Sequence, residues 1–291
     1  MKINWIIEQY LWEEYEQKLA DTIKNSGHNC RIVDDTDWKF NFDKDIKSKY
    51  SEKDCVLFYG SLQRGRQMWR ETNFIPGIFL TIDNYECFKY YGFYGDKLVN
   101  SNYIMMGLND VKRNKERLFQ SLYSAHWTHL TNSKIFIRPS NGYKSFTGQL
   151  LPWKNFDEEF DILCKSYGGI DMDQIVLIAP EQKVREEHRF IIISENDKNR
   201  IVDGNKYMVD GEVFTERVVD EKAWQYCEQI VNNYTPDKAF TIDIAKMNDG
   251  TYKVLEIGSF CCAGWYNMDL VKVVKEINNL CITEYNDYYN L

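Results

Sequence analysis

Two strand-like runs joined by an Asp-Gly turn constrain this chain most. The runs cover residues 239–247 and 252–260, and the four residues 248–251 connect them. Asp-Gly between such runs is a strong signal for a two-residue hairpin loop, which would set Asn248 opposite Thr251. In that register Asp243 faces Glu256, and aliphatic side chains fill the other face. Like charges placed opposite destabilise a hairpin, so the face is either solvated or holds a divalent cation. Mg²⁺ commonly uses one or two carboxylates plus substrate phosphates.

Composition bounds the class of protein. The chain has 291 residues, 44% of them apolar, which suits one large or two ordinary domains with a sizeable core. A net charge of −8 makes a nucleic-acid partner unexpected. The eight cysteines form no CxxC pair, and with four histidines they show no zinc spacing. The first 17 residues carry acids within their apolar stretch, which predicts no signal peptide and no membrane partner. We therefore expect a cytoplasmic protein, in the host cytoplasm if the chain is viral.

The first third of the chain alternates strand and helix patterns. Strand-like runs at 3–9, 30–35 and 55–61 enclose a helical stretch at 12–27, which predicts a β-α-β start. Residues 60–71 predict either a phosphate-binding turn into a helix or an ordinary strand-to-helix turn. Residues 76–106 are expected to form short strands and loops, and residues 111–125 a helix. The fold predicted for residues 1–130 is a small α/β domain.

From about residue 133 the pattern changes to hairpins with helices between them. A hairpin is predicted around Asn141-Gly142, a buried strand at 173–180 and a second hairpin from the runs 186–194 and 200–209. Helices are predicted at 153–167, 221–234 and 265–280. Residues 131–291 are therefore expected to form an α+β ligand-binding domain.

Taken in order, these motifs resemble an ATP-grasp domain. More narrowly, they resemble a divergent clade of phage and bacterial proteins with an arginine-and-lysine signature. That clade is related to the eukaryotic cell-division-cycle translation-initiation assembly factor. The resemblance covers about residues 130–280, and residues 58–100 look like the N-terminal domain of the clade. It implies an ATP-grasp fold preceded by an α/β domain of the pre-ATP-grasp kind, with ATP and Mg²⁺ as cofactors.

The resemblance assigns the first motif, residues 136–149, to the nucleotide phosphates. Arg138 and Lys144 stand where the family has its two phosphate-binding basic residues. Arginine offers a forked donor and lysine a compact charge, so a triphosphate can use both. A two-residue Asn141-Gly142 loop would place the two side chains on opposite faces. Both would reach the phosphates only if the turn were longer or bulged.

The second motif, residues 175–193, resembles the segment that binds adenine and ribose. The hinge positions, whose backbone bonds adenine, fall on Ile178, Glu181 and Val184. Glu187 matches the acid that accepts from the ribose hydroxyls. Arg189 lies on the same strand face and would touch the γ-phosphate or a carboxylate substrate. The alternative is a Glu187–Arg189 surface pair. His188 faces the other way and is expected to be packed.

In the third motif the resemblance gives Asp243 and Glu256 the role of Mg²⁺ ligands. Many family members carry asparagine two residues after the second acid, where this chain has Gly258. Ser259 faces the other way unless a bulge turns it. Either water therefore supplies the third ligand, or the ligand is missing and nucleotide turnover is weakened. Neutralising either acid is expected to relieve the like-charge pair and to raise the stability of the metal-free protein.

The implied activity is ligation of a carboxylate to an amine through an acyl phosphate, with a peptide or protein as acceptor. One alternative is an ATP-binding assembly chaperone that ligates nothing, and another is a kinase-like phosphotransferase that stops at the first half-reaction. Arg64 and Arg66 are candidates to hold the acceptor carboxylate. The alternative for these two arginines is a solvated basic helix face.

Overall fold

The structure is a computed structural model that describes residues 1–9, 13–34, 40–167 and 170–290. Two compact units divide the chain. The first comprises Met1–Thr81, Glu186–Ile244 and Glu256–Leu291, and the second comprises Ile82–Arg185 and Ala245–Leu255. The predicted boundary after residue 130 falls inside the second unit, and the division into functional domains at that point stays a prediction. No helix among the described residues is both long and apolar enough to cross a membrane.

A four-stranded parallel sheet organises the N-terminal part of the first unit. Its strands are β1 (Ile3–Glu8), β2 (Asn29–Val33), β3 (Cys55–Tyr59) and β4 (Ile75–Gly77), in the order β2-β1-β3-β4. The helices are α1 (Glu13–Asn25), α2 (Phe42–Asp45) and α3 (Leu62–Glu71). Strand β3 is an uninterrupted apolar run and is buried throughout, as expected for a parallel strand covered on both faces. The predicted β-α-β start is confirmed, although its ends at Trp12 and Asp35 lie outside the described residues.

The last helix, α9 (Leu270–Tyr289), packs into the core of the first unit. The indole of Trp5 donates a hydrogen bond of 2.8 Å to Oδ1 of Asn278, so this buried polar pair is satisfied. The predicted helix at 265–280 was misplaced. Asp269 caps the N-terminus by accepting from the amide of Lys272, which starts the helix at Leu270.

A five-stranded sheet carries the C-terminal hairpins, and most of its residues belong to the first unit. Its strands are β9 (Val184–Glu195), β10 (Lys198–Val209), β11 (Glu212–Val213), β12 (Ala239–Met247) and β13 (Tyr252–Ser259), in the order β11-β10-β9-β12-β13. Helix α8 (Glu221–Ile230) begins after the N-cap residue Asp220. The hairpin predicted from residues 186–194 and 200–209 is confirmed, with two irregularities in its register.

The second unit contains an antiparallel sheet flanked by short helices. Its strands are β5 (Ile104–Gly107), β6 (Lys134–Pro139), β7 (Gln149–Pro152) and β8 (Ile175–Pro180), in the order β5-β8-β6-β7. The helices are α4 (Cys87–Tyr94), α5 (Leu108–Arg113), α6 (Lys115–Tyr123) and α7 (Phe156–Ser166). The single helix predicted at 111–125 is two helices, α5 and α6, which meet at Asn114.

The prediction of strands and loops for residues 76–106 was wrong over α4. Tyr90, Tyr91 and Tyr94 are almost fully buried, and the ring of Tyr90 contacts the other two edge to face, with centroids 5.0 and 6.3 Å away. Their spacing puts them on one side of a helix, where an aromatic cluster is buried. Aromatic residues favour strands in isolation, and here tertiary packing overrides that preference.

Candidate functional site

A buried ion pair connects β9 and β12. Nε and one terminal nitrogen of Arg189 donate to the two carboxylate oxygens of Asp243 at 2.8 and 2.7 Å. Asp243 is 1% exposed, and the Arg189 side chain is 13% exposed. The predicted alternative, a surface pair of Glu187 with Arg189, is wrong because the guanidinium is engaged in this bidentate contact instead. Such geometry fixes the orientation of both side chains.

Two stacked tyrosines lie against this guanidinium. The rings of Tyr207 and Tyr266 stack with centroids 4.6 Å apart, and Cζ of Arg189 lies 5.2 and 5.3 Å from the two centroids. The second terminal nitrogen of Arg189 donates to the carbonyl of Gly264 at 3.3 Å. The charge is therefore held by a carboxylate, a carbonyl and two ring faces.

Glu187 joins the cluster through the hydroxyl of Tyr207. That hydroxyl lies 2.5 Å from Oε2 of Glu187 and 3.2 Å from Oδ2 of Asp243. Burial raises the pKa of Glu187, and the charges of Asp243 and Glu256 raise it further. Burial also holds the pKa of Tyr207 well above its ordinary value, so the hydroxyl remains a donor.

The sequence did not reveal Tyr207 or Tyr266. Tyr207 is the extra residue of a β-bulge, because Lys206 pairs with His188 and Met208 pairs with Glu187. A bulge redirects a side chain in a way that strand alternation cannot predict, and bulges are common beside functional sites.

The turn of the β12–β13 hairpin differs from the prediction. The amide of Met247 donates to the carbonyl of Thr251 at 2.8 Å, and the amide of Gly250 donates to the carbonyl of Met247 at 2.9 Å. Gly250 has a φ of +85°, in the left-handed region. These contacts define a three-residue loop with glycine at its left-handed position, so Asn248 does not pair with Thr251.

Closer to the ion pair, a side-chain contact joins the two strands. The hydroxyl of Thr241 donates to the carbonyl of Gly258 at 3.2 Å. The pairing of Asp243 opposite Glu256 stays a prediction. The charges of both acids contribute to the raised pKa of Glu187, so both acids lie near that residue.

Position 258 has no room for the asparagine that the family pattern would put there. A Cβ on Gly258 would lie 2.8 Å from Oγ1 of Thr241, closer than such contacts allow. Ser259 does not take the place of that asparagine. Its hydroxyl donates to the carbonyl of Phe79 at 3.0 Å and accepts from the amide of Cys261, so it caps a short turn instead.

The cluster fits a divalent cation by charge and by ligand type. Glu187, Asp243 and Glu256 carry three negative charges, and Arg189 carries one positive charge, a sum of −2 over these four groups. Oδ1 of Asp243 accepts one bond from Arg189 and keeps a second lone pair. Carboxylate oxygens are the ligands that Mg²⁺ prefers.

Arg138 and Lys144 belong to the second unit, on either side of a loop longer than predicted. β6 and β7 pair with Ile137 opposite Gln149, so the connection spans residues 140–148 and the two-residue turn is wrong. Arg138 is half-buried on β6, and Lys144 is exposed with a φ of +50°. The longer turn removes the constraint that would hold the two side chains on opposite faces.

Gln174 holds this loop in place. Its Oε1 accepts from Nδ2 of Asn141 at 3.2 Å and from the hydroxyl of Ser145 at 2.5 Å. The amide of Ser140 donates to the carbonyl of Ile175 at 2.9 Å. The loop therefore follows a defined path away from the sheet.

The three predicted hinge residues lie in different surroundings within the second unit. Ile178 is fully buried inside β8 and pairs with Ile104 and Ile137, and its role in the hinge stays a prediction. Glu181 follows β8, its carboxylate 3.3 Å from Nζ of Lys134, and its amide donates to the carbonyl of that lysine. Val184 begins β9 and packs beside Met247 and Leu255.

Arg64 is engaged inside the first unit. Its Nε lies 3.8 Å from Oε1 of the buried Glu8, and its guanidinium carbon lies 4.5 Å from the ring centroid of Phe40. The alternative of a solvated basic face is therefore wrong for Arg64, while Arg66 is half-buried on α3.

The turn into α3 is not a phosphate site. The carboxylate of Glu8 already accepts from the amide of Ser61, at the N-terminus of the helix. A Cβ on Gly60 would lie 2.5 Å from Cβ of Glu8, so only glycine fits there. A buried carboxylate in this position repels a second anion, which leaves the ordinary strand-to-helix turn.

Comparison with known proteins identifies the family. The family described as ATP-grasp domain, R2K clade family 2, matches residues 115–276, more than half of the chain. No curated protein matches the sequence. The structure is similar to the D-alanine-D-alanine ligase from Coxiella burnetii, with a TM-score of 0.62 and 11% identity over 99% of this chain and 94% of that one.

Two further structures show the same similarity. N5-carboxyaminoimidazole synthetase from Staphylococcus aureus, complexed with ADP, gives a TM-score of 0.56 at 10% identity over 90% of this chain and 70% of that one. The ATP-grasp ligase PsnB, complexed with a minimal precursor, gives a TM-score of 0.55 at 11% identity over 96% of this chain and 99% of that one. The predicted ATP-grasp fold with mixed α/β and antiparallel parts is confirmed. The chain belongs to the ATP-grasp domain family, R2K clade family 2.

Proposed function

We propose that this protein is an ATP- and Mg²⁺-dependent ligase that joins a carboxylate to an amine through an acyl phosphate. The observation that carries the proposal is the cluster of Glu187, Asp243 and Glu256 around Arg189, whose surplus negative charge suits a divalent cation. The fold adds support, because similar structures include ligases and a synthetase complexed with ADP.

Each predicted site residue has a role in this proposal. Asp243 and Glu256 hold Mg²⁺, and Arg138 and Lys144 hold the phosphates. Glu187 accepts from the ribose, while the segment from Glu181 to Val184, which follows the strand that contains Ile178, holds adenine. Arg189 orients Asp243 through its bidentate contact, and its contact with the γ-phosphate or a carboxylate substrate stays a prediction. Bound Mg-ATP would supply the phosphoryl group that activates the acceptor carboxylate.

The acceptor is proposed to be a peptide or protein in the cytoplasm. The clade that the motifs resemble suggests this substrate class, and one similar ligase, PsnB, is complexed with a minimal precursor. Arg66 remains a candidate to hold the acceptor carboxylate, and Arg64 would do so only by leaving Glu8. A phage origin and a relation to the translation-initiation assembly factor stay predictions.

An ATP-binding chaperone without ligase activity is the second candidate. The observation that favours it is Gly258, because Thr241 fills the space of the missing third ligand. A weakened metal site would bind nucleotide and release it unchanged. A phosphotransferase that stops at the acyl phosphate would differ from both by leaving a phosphorylated acceptor.

Binding is tested first by thermal denaturation with Mg-ATP, Mg²⁺ alone and ATP with EDTA. Ligand at 100 times its dissociation constant adds about 2.7 kcal/mol to the free energy of unfolding. Glu256→Gln is the matched control, because it removes one proposed metal ligand outside the Arg189–Asp243 pair. Equal stabilisation of both proteins by Mg-ATP would contradict the metal assignment.

Chemistry is tested by intact-mass spectrometry of cellular peptides and proteins incubated with the protein, Mg-ATP and an amino-acid pool. A ligase adds the mass of the amine minus water, and a phosphotransferase adds a phosphate. A chaperone leaves every mass unchanged. Nucleotide binding without any mass change would reject the ligase in favour of the chaperone.

A further inference from the structure

A second group of metal-ligating side chains lies on the opposite face of β9 from Glu187 and Arg189. Glu186 and His188 alternate with those two residues along the strand, and Asp220 stands at the N-cap of α8. One ligand atom from each of Glu186, His188 and Asp220 lies within 4.8 Å of the other two. Side-chain alternation along a strand keeps this group separate from the proposed Mg²⁺ site.

The imidazole in this group is deeply buried and faces a carboxylate. His188 is 1% exposed, and its Nε2 lies 3.5 Å from Oε2 of Glu186, whose side chain is 12% exposed. Oδ1 of Asp220 accepts from the amide of Ala223 at 3.0 Å. A carboxylate has two oxygens, so Asp220 can keep the cap and also coordinate a metal ion.

Lys206 lies next to this group and offsets part of its negative charge. Nζ of Lys206 lies 3.7 Å from Oε2 of Glu186 and 4.5 Å from the ring centroid of Phe214. Two carboxylates against one ammonium leave one negative charge over these three groups when His188 is neutral. A bound dication would change the net charge from −1 to +1 and repel Lys206.

We propose that Glu186, His188 and Asp220 form a site for one transition-metal dication of the zinc class, which ties β9 to the N-terminus of α8. Neutral imidazole with two carboxylates selects zinc or cobalt over magnesium, and water completes four-coordination. Bonds of about 2.0–2.2 Å require ligand atoms roughly 3.3–3.5 Å apart. Binding therefore draws the three side chains together from their present spread and fixes the strand to the helix.

Zn²⁺ and Co²⁺ are the probes, used on the full chain without nucleotide so that the result does not depend on the proposed function. One equivalent of Co²⁺ is expected to produce visible tetrahedral absorption that Zn²⁺ removes. His188→Gln and Asp220→Asn should each weaken binding at least about tenfold, and asparagine retains an oxygen for the helix cap. His126→Gln, at an exposed histidine, is the matched control and should leave binding unchanged.

Lys206→Met keeps the test decisive if His188→Gln does not fold. Removing the ammonium should tighten Zn²⁺ binding several-fold and allow Zn²⁺ to restore any lost thermal stability. Absent binding, or binding that His126→Gln reduces as much as His188→Gln does, overturns the proposal. Unchanged or weaker Zn²⁺ affinity in Lys206→Met also overturns it, and leaves the group as an ion-pair network.

Discussion

Replacing Asp243 with asparagine tests whether the buried ion pair stabilises the first unit. The hairpin pattern predicts Asp243 opposite Glu256, so loss of one charge should stabilise the metal-free protein by a few tenths to about 1 kcal/mol. The structure reverses that sign. Asp243 is the bidentate partner of Arg189, and its loss leaves a buried guanidinium without its carboxylate.

The magnitude follows from what asparagine retains. Removing one partner of a buried pair costs about 3–5 kcal/mol. Asp243→Asn keeps the shape and one carbonyl oxygen, which still accepts from one of the two donors on Arg189. Glu187 and Glu256 keep negative charge nearby. We therefore expect a loss of about 3 kcal/mol, at the lower end of that range. At roughly 2 °C per kcal/mol for a chain of this size, the melting temperature falls by about 6 °C.

The measurement is thermal denaturation followed by circular dichroism at pH 7, with EDTA and without nucleotide. Glu256→Gln is the matched control, because it removes a like charge and should melt at or slightly above the wild-type temperature. The double variant Arg189→Met with Asp243→Leu removes both charges and should recover most of the loss. If Asp243→Asn melts as high as the wild-type protein, the ion pair with Arg189 does not stabilise the first unit.

Three further changes test other parts of the structure. Glu187→Gln should stabilise the nucleotide-free protein at pH 7, because burial raises the pKa of Glu187 and its ionised form costs stability. The gain should shrink as the pH falls through that raised pKa towards the ordinary value of about 4.3. Denaturation curves that show a gain independent of pH would contradict this. Gly204→Ala places a Cβ 2.3 Å from the Phe190 ring and should lower the free energy of unfolding in urea by about 1–3 kcal/mol. Gly92→Ala in α4 meets nothing within 4 Å and should raise it by about 0.5–1 kcal/mol. Equal effects of the two variants would contradict this difference in packing. Gln174→Ala removes the acceptor for the loop 140–148 and should speed its amide hydrogen exchange by about tenfold, and unchanged exchange would show that Gln174 does not hold the loop.

The pattern of side chains predicted the elements whose local signal agrees with their environment. β3 and β8 are short apolar runs that are buried in their sheets, and the hairpin of β9 with β10 shows clear strand runs on both sides of a turn. The order of basic, hinge and acidic motifs was enough to indicate the ATP-grasp fold. These signals lie in the local pattern of each segment or in the order of the segments along the chain, so they can be read without tertiary contacts.

The turns and α4 could not be predicted because neighbouring segments decide them. Asn141-Gly142 suits a tight turn, but the acceptor on Gln174 and the strand register lengthen the connection to residues 140–148. Asp249-Gly250 suits a two-residue loop, but Gly250 takes the left-handed position of a three-residue loop. The aromatic residues of α4 favour strand until they pack on one another.

The residue types alone show which groups are available for a metal and a nucleotide, and the hairpin pattern predicts Asp243 opposite Glu256. The tertiary structure gives Arg189 its partner, Asp243 rather than Glu187, because that contact depends on β9 lying beside β12. It also decided that Tyr207 joins the site, since a bulge in β10 turns the side chain towards Glu187. Strand alternation fixes the face on which a side chain lies, while its partner depends on the neighbouring strand and its register.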